Sequence, residues 1–217
     1  MIKARHNKIA RFIFNIYLNN LFKKNFGSFN QIGEIPKIDL NLPIVVFPNH
    51  FSWWDGFFID YLSRIYFPEH KFYIVMLEKQ LQKFWFFNKL GAIGFEPSNP
   101  KSLVKLKEYI NDIISKDEKS FIAFYPQGKI QLYDDEIKFK EGVKFLFLKN
   151  LEKVNFLTVA FKIQYFEQQK PDIFFSIKTI DDKTILENID KFTEFYLDFF
   201  NDFNNKAVSF TISRKLF

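Results

Sequence analysis

The chain contains no cysteine. Disulfides, thiolate nucleophiles and cysteine-ligated zinc are therefore excluded, while the compartment stays open, since cytosolic and periplasmic chains both do without cysteine. Long apolar runs are missing too. The longest stretch free of Asp, Glu, Lys and Arg, Leu40 to Trp54, holds two prolines and falls short of the roughly 20 apolar residues a spanning helix needs. The N-terminus lacks the apolar core and small-residue cleavage site of a signal peptide, so a soluble protein, or one peripheral to the cytoplasmic side of a membrane, is expected. Only His6, His50 and His70 could offer imidazole, too few without cysteine for a zinc constellation, and no metal is expected. Also absent are a Walker-A loop, a G-x-G-x-x-G loop and the G-x-S-x-G elbow of an α/β-hydrolase.

Acidic residues are missing from one region. Residues 1–33 carry Lys3, Arg5, Lys8, Arg11, Lys23 and Lys24 and no Asp or Glu, so they hold the whole formal net charge of +6. The other basic residues balance the 25 acidic ones. The same end has helical periodicity. Ile9, Phe12, Ile13, Ile16 and Tyr17 share a face, Phe14, Leu18 and Leu21 widen it, and Lys8, Arg11, Asn15 and Asn19 form a narrow polar stripe. A basic amphipathic helix of this kind can lie in an anionic membrane interface. It can also dock on its own domain with its charged side solvated. Lys3, Arg5, Lys8, Arg11, Phe12 and Ile16 are the candidate membrane contacts. With the rest of the chain neutral, the basic groove a nucleic acid would need is lacking, and no nucleic-acid partner is expected.

What is plentiful is phenylalanine, 32 of 217 residues, which fits either a composition-biased core or a surface that meets lipid. Beyond residue 33 the pattern alternates. Apolar runs at Pro43–Asn49, Lys71–Leu77, Ser120–Gly128, Val154–Ile163 and Asp172–Ile180 read as strands. Asp55–Phe67, Glu78–Leu90, Lys101–Ser115, Phe139–Asn150 and Asn188–Asn204 read as helices. The expectation is an α/β protein with a mixed, largely buried central sheet flanked by helices. It is divided into an N-terminal amphipathic segment, 1–33, and a single α/β domain, 34–217.

The stretch FPNHFSWWDGFF, Phe47 to Phe58, places His50 and Asp55 in an aromatic run. His50 falls in the loop after a strand, where open α/β sheets bind ligands. Ser52-x-x-Asp55 matches a helix-capping box, so Asp55 has a structural reading as well. A histidine with a carboxylate nearby and no enzyme nucleophile suits activation of a substrate's own hydroxyl. The imidazole titrates near neutrality, and the carboxylate fixes its tautomer.

Asn49, His50, Ser52 and Asp55 stand as Asn-His-x-Ser-x-x-Asp, followed in order by Gly91–Phe95 (GAIGF), Tyr125–Lys129 (YPQGK) and Phe156–Phe161 (FLTVAF). In these blocks, spread over about residues 40–180, the chain resembles the glycerolipid acyltransferases of the 1-acylglycerol-3-phosphate acyltransferase group. The resemblance implies that His50 deprotonates an acceptor hydroxyl, which attacks the thioester of acyl carrier protein or acyl-CoA, with Asp55 orienting His50 and no other cofactor. It implies a lipid acceptor, of lysophospholipid type, held by Asn49, Ser52, Gly91, Tyr125, Pro126, Gln127, Gly128 and Lys129, and a membrane-associating N-terminal helix. The sequence departs from the family at Pro97 and Ile130, where the family carries arginines, at Gln127 and Lys129, for Glu and Thr, and at Thr158, for proline. Lys129 offers a point charge in place of the arginines, with Lys79, Lys83 and Lys101 as further substitutes. One alternative is the same chemistry on a neutral polar, non-phosphate acceptor, a glycosylated or amino-acid-headed lipid; a second is a non-catalytic membrane- or lipid-binding module.

Overall fold

The computed structural model describes residues 1–116, 119–132 and 136–217. One eight-stranded sheet runs through it. Its strands are β1 (Phe29–Gln31), β2 (Ile44–Pro48), β3 (Lys71–Leu77), β4 (Ala92–Phe95), β5 (Ser120–Ala123), β6 (Asn155–Gln164), β7 (Asp172–Thr179) and β8 (Arg214–Lys215), in the order β4-β3-β5-β2-β6-β7-β1-β8. Pairing is parallel from β4 through β6 and between β1 and β7, and antiparallel for β6 with β7 and β1 with β8. The sheet is mixed, as expected.

Side chains alternate along each strand, and both faces are covered. Ile44 and Val46 of β2 pack under helices α1 (Lys8–Asn25) and α2 (Asp55–Tyr66). Val45 and Phe47 pack under α4 (Pro100–Lys116), α5 (Gly142–Phe147) and α6 (Ile189–Val208). This two-sided burial is why β2 reads as an unbroken apolar run rather than an alternating one. Phenylalanine supplies the bulk of the core: Phe22, Phe29, Phe47, Phe58, Phe121, Phe147, Phe156, Phe161, Phe174, Phe175 and Phe192 are all under 2% exposed.

Several elements differ from the sequence reading. The helix expected over Glu78–Leu90 breaks at Phe84 into α3 (Glu78–Lys83) and a 3₁₀ segment, Trp85–Leu90. Phe84, Phe87 and Leu90 recur every third residue, the 3₁₀ period, and all three line one cavity. The helix expected at Phe139–Asn150 shortens to α5 and passes into a 3₁₀ segment at Leu148–Lys153. The strand expected over Ser120–Gly128 ends at Ala123, since Pro126 has no N–H to offer a ladder. Strand β1 lies inside the span assigned to the N-terminal segment, yet pairs with β7 and β8 within the central sheet.

Helix α1 is apolar on two sides. Phe14, Leu18 and Phe22 dock on the core, while Ile9, Phe12, Ile13, Ile16 and Tyr17 are each more than half exposed. Asn7 caps it, accepting the Ala10 N–H at 2.8 Å. Among the described residues no helix is long and apolar enough to cross a membrane.

Candidate active site

Strands β2, β3, β4 and β5 run parallel, so their carboxyl ends share one edge of the sheet, and the loop after β2 carries His50 there. His50 Nδ1 lies 2.8 Å from Asp55 Oδ2. The same oxygen accepts the backbone N–H of Phe51 at 2.7 Å and of Ser52 at 2.9 Å. Ser52 Oγ donates to Asp55 Oδ1 at 2.7 Å and accepts the Trp54 N–H at 3.1 Å. Asp55 is completely buried and opens α2.

The capping and orienting readings of Asp55 are thus compatible. Its carboxylate reaches back to the Ser52 N–H as a capping box requires, and it also holds the imidazole. Four donors converge on a group that only accepts, so the proton on His50 sits on Nδ1 and the lone pair on Nε2.

The downstream block closes on His50 from the other side. The Tyr125 ring packs against the imidazole, with centroids 4.6 Å apart. Its ring is partly exposed, but its hydroxyl is buried and has no hydrogen-bond partner among the described residues. Burial pushes that phenol's pKa well up, and the charge of Asp55 adds to the effect. Gln127 is buried behind the loop. Its Oε1 accepts the His50 N–H and its Nε2 donates to Gln131 Oε1, while Gln131 N–H donates to His50 O at 2.9 Å. An amide can do both, whereas the carboxylate it replaces could not donate to Gln131.

His50 lines a cavity of about 760 Å³. Near His50 its wall includes Trp53, Tyr125, Pro126, Gly128, Lys129 and Ile130. It extends over Phe57, Ile74, Met76, Phe84 and Phe87 to Phe14, Phe72 and Leu90. Lys129 therefore shares the cavity with His50. So does Lys140, which the sequence reading missed. Its N–H donates to Pro126 O at 2.9 Å, and its side chain lies across Gly128, where a β-carbon would sit 3.1 Å from the ammonium nitrogen. Gly128 has φ +67°, which favours glycine. Among the described residues neither ammonium is held in an ion pair, although Glu141 lines the same cavity. The signal for Lys140 was its backbone link to the Tyr125–Gly128 turn, which only the folded chain supplies.

Other expected site residues are engaged elsewhere. Asn49 donates to Phe161 O at 2.9 Å and accepts the Phe161 N–H at 2.8 Å, stitching the end of β2 to β6. Ser52 is taken up by Asp55. Gly91 lies outside the cavity lining. It has φ +111°, and a β-carbon there would fall 2.1 Å from Phe72 O, so backbone packing demands glycine. Lys79, Lys83 and Lys101 are exposed and outside the lining, while Pro97 and Ile130, the two positions without arginine, are in it. Of the N-terminal candidates, Lys3, Arg5, Lys8, Phe12 and Ile16 are exposed. The Arg11 guanidinium instead turns inward to Asp60 and to Leu90 O.

No curated protein matches the chain. Among solved structures it is similar to the 1-acyl-sn-glycerophosphate (LPA) acyltransferase PlsC from Thermotoga maritima, with a TM-score of 0.54 and 16% identity over 86% of this chain and 75% of that one. At that identity the likeness is one of fold. The family model described as Acyltransferase matches residues 29–162, from β1 through the His50 loop and the Tyr125–Gly128 turn into β6. This match covers more than half of the chain, and the protein belongs to the acyltransferase family.

Proposed function

We propose that the protein transfers a fatty acyl group from an acyl thioester, of acyl carrier protein or coenzyme A, to a hydroxyl of a lysophospholipid-type acceptor such as 1-acylglycerol-3-phosphate. The observation that carries this is the His50–Asp55 pair opening on an apolar cavity that also holds Lys129 and Lys140. The acceptor O–H gives its proton to His50 Nε2 as its oxygen bonds to the thioester carbonyl carbon. Asp55 stabilises the imidazolium, which a neutral orienter could not do as well. Collapse of the tetrahedral adduct breaks the C–S bond, and the leaving thiolate takes the proton back from Nε2. No covalent enzyme intermediate is involved. The apolar length of the cavity suits the acyl chain.

The two lysines are compact point charges suited to a phosphate, though without arginine's bidentate grip. The Thermotoga protein is a 1-acyl-sn-glycerophosphate acyltransferase, which agrees with a phosphate-bearing acceptor. A second reading, the same chemistry on a lipid with an uncharged polar head, is favoured by Pro97 and Ile130 in the cavity wall where the family carries arginines. The exposed face of α1, with Trp53, Trp85 and Phe86 also exposed, supports peripheral attachment to an anionic membrane, apolar burial acting with Lys3, Arg5 and Lys8.

The test is transfer from labelled acyl carrier protein and acyl-CoA to a total lipid extract, with mass spectrometry naming the product. The expected product is a diacyl phospholipid. Lys129→Ala with Lys140→Ala is expected to raise KM for 1-acylglycerol-3-phosphate by at least roughly tenfold, the scale of one charged hydrogen bond. A product with an uncharged head, unaffected by the lysine changes, selects the second reading. No product from any acceptor removes both.

A further inference from the structure

The His50 cavity reaches both helical layers of the fold. Phe14 of α1 and Phe57 of α2 line it on one side of the sheet, Leu103 of α4 and Phe145 of α5 on the other. The outer surfaces of the two layers differ. The α1 layer presents apolar side chains to solvent. The α4–α5 layer presents lysines around a small apolar centre. Val104 and Phe145 form that centre, 48% and 40% exposed. Lys101 and Lys107 lie three residues to either side of Val104, on its face of α4. Lys107 also extends over the Phe145 ring, its Nζ 4.6 Å from the centroid. Lys105 and Lys144 are exposed and adjoin Val104 and Phe145 in the chain. The acidic residues beside them are Glu108 on α4 and Glu141 at the start of α5. Among the described residues none of the four ammonium groups is held in an ion pair.

We infer that Lys101, Lys105, Lys107 and Lys144, set around Val104 and Phe145, form the surface on which an acidic carrier protein docks to deliver the acyl thioester. The inference rests on the reading of this cavity as the acyl-transfer site, and it chooses between the two donors left open there. An apolar centre with a charged rim is the anatomy of a protein interface rather than of a nucleotide site. The lysines spread over about 9 Å of α4 alone, at about 1.5 Å per residue. They are solvated point charges on flexible stems, not a cradle closed around one phosphate. The first N–H groups of α4 could have held a phosphate of coenzyme A, but they are taken. Those of Lys101 and Ser102 donate to Asn99 Oδ1 at 3.0 and 3.3 Å. A carrier arriving from water needs a face other than the one turned to lipid. The α4–α5 layer lies across the sheet from α1, and Leu103 and Phe145 connect it to the cavity that holds His50. Dispersed lysines on that layer would attract an acidic partner at a distance and raise its rate of encounter.

The experiment compares acyl carrier protein and coenzyme A loaded with the same acyl chain, on the full chain and on a triple variant, Lys101→Glu with Lys105→Glu and Lys144→Glu. With the carrier donor, KM is expected to rise by about tenfold or more, the lower end of what electrostatic steering supplies, while kcat at saturation hardly moves. With acyl-CoA, both should stay near the wild-type values. Added salt should weaken the carrier reaction of the wild type toward that of the variant, since screening shortens the reach of exposed charges. Lys101→Gln with Lys144→Gln takes over if the triple reversal does not fold. Equal losses with both donors would show that the lysines read the phosphates of coenzyme A, and would overturn the inference. An unchanged carrier reaction in a folded variant would overturn it too. Calorimetry with acyl carrier protein measures docking apart from catalysis, and no binding by the wild type overturns the inference as well. Binding that the reversal abolishes, without transfer to any acceptor, would leave the docking surface standing and remove the proposed reaction instead.

Discussion

Helix α2 carries two buried aspartates five residues apart, and their surroundings differ. Asp55, at the first position, is met by two backbone N–H groups, a serine hydroxyl and an imidazole. None of these is a permanent cation. Asp60, just over one turn on, faces two arginines, Arg11 and Arg64. Burial also pulls the Arg64 pKa down, against the opposing pull of Asp60. At Asp55 the charge is held by hydrogen bonds, which leaves room for a partner whose own charge changes during a reaction. At Asp60 the charge faces two guanidinium groups, one hydrogen-bonded to Oδ1 and one 3.4 Å from Oδ2, which fits a fixed structural point. The same residue type on one helix thus supports two kinds of site, and neighbouring charge is what separates them.

The sharpest way to break this comparison is to remove the imidazole. His50→Ala is expected to lower turnover by roughly 10²–10⁴-fold, the usual worth of a general base. The melting temperature should hardly move, because Asp55 keeps its three other donors. Normal turnover in steady-state assays would sink the mechanism. Next comes Asp60→Ala, which strands Arg11 and Arg64. Removing one partner of a buried pair destabilises by about 3–5 kcal/mol. Both arginines keep about a fifth of their side chain exposed, so the lower end, about 3 kcal/mol by denaturant titration, is expected. A loss near zero would mean that the cluster is solvated in the free protein.

Asp55→Asn then tests whether capping or orienting dominates. The amide still accepts through one oxygen but presents N–H toward donors, favouring the wrong imidazole tautomer. Turnover per folded molecule should fall on the order of 10²-fold or more, with stability lowered by about 1–2 kcal/mol, the scale of a lost cap. If stability drops and turnover holds, the capping role is the whole of it.

How much of this was legible beforehand depends on distance along the chain. His50 and Asp55 lie within one short segment, so their spacing carries the geometry directly, and so does the two-face burial of β2. Arg11 with Asp60 and Gln127 with His50 are 49 and 77 residues apart, and nothing local marks them as partners. Charge alone assigned Arg11 to the membrane, because a helix wheel shows which residues share a face but not which face docks. Ile9, Phe12, Ile13, Ile16 and Tyr17, grouped on one face by their spacing, point outward, while Phe14 and Leu18, read as widening that face, are the docking residues. Strands β1 and β8 span three and two residues, too few for any alternation to register. Gln127 illustrates a different limit: its side chain matches the acceptor block in sequence, but the fold aims it at the backbone of His50.

The smallest expected effect concerns Tyr125, beside the Asp55 end. Its ring packs on His50, while its hydroxyl is buried without a partner among the described residues. Tyr125→Phe keeps the ring and deletes the unpaired group. Removing an unsatisfied buried hydroxyl is neutral or mildly stabilising, so at neutral pH both turnover and melting temperature should change little. The difference should emerge in alkali. The folded phenol has its pKa raised above the unfolded value of about 10, so its contribution is fully present below that pH and is lost as pH rises toward the folded pKa. Tyr196 is raised in the same sense, and so are Tyr61, Tyr66 and Tyr109, so wild type should lose stability above about pH 10 through all of these phenols, and Tyr125→Phe should remove one part of that decline. Denaturation midpoints across the alkaline range measure this. A tenfold loss of turnover at neutral pH would instead show that the hydroxyl meets substrate, adding a third polar group to the His50–Asp55 end and none to the other.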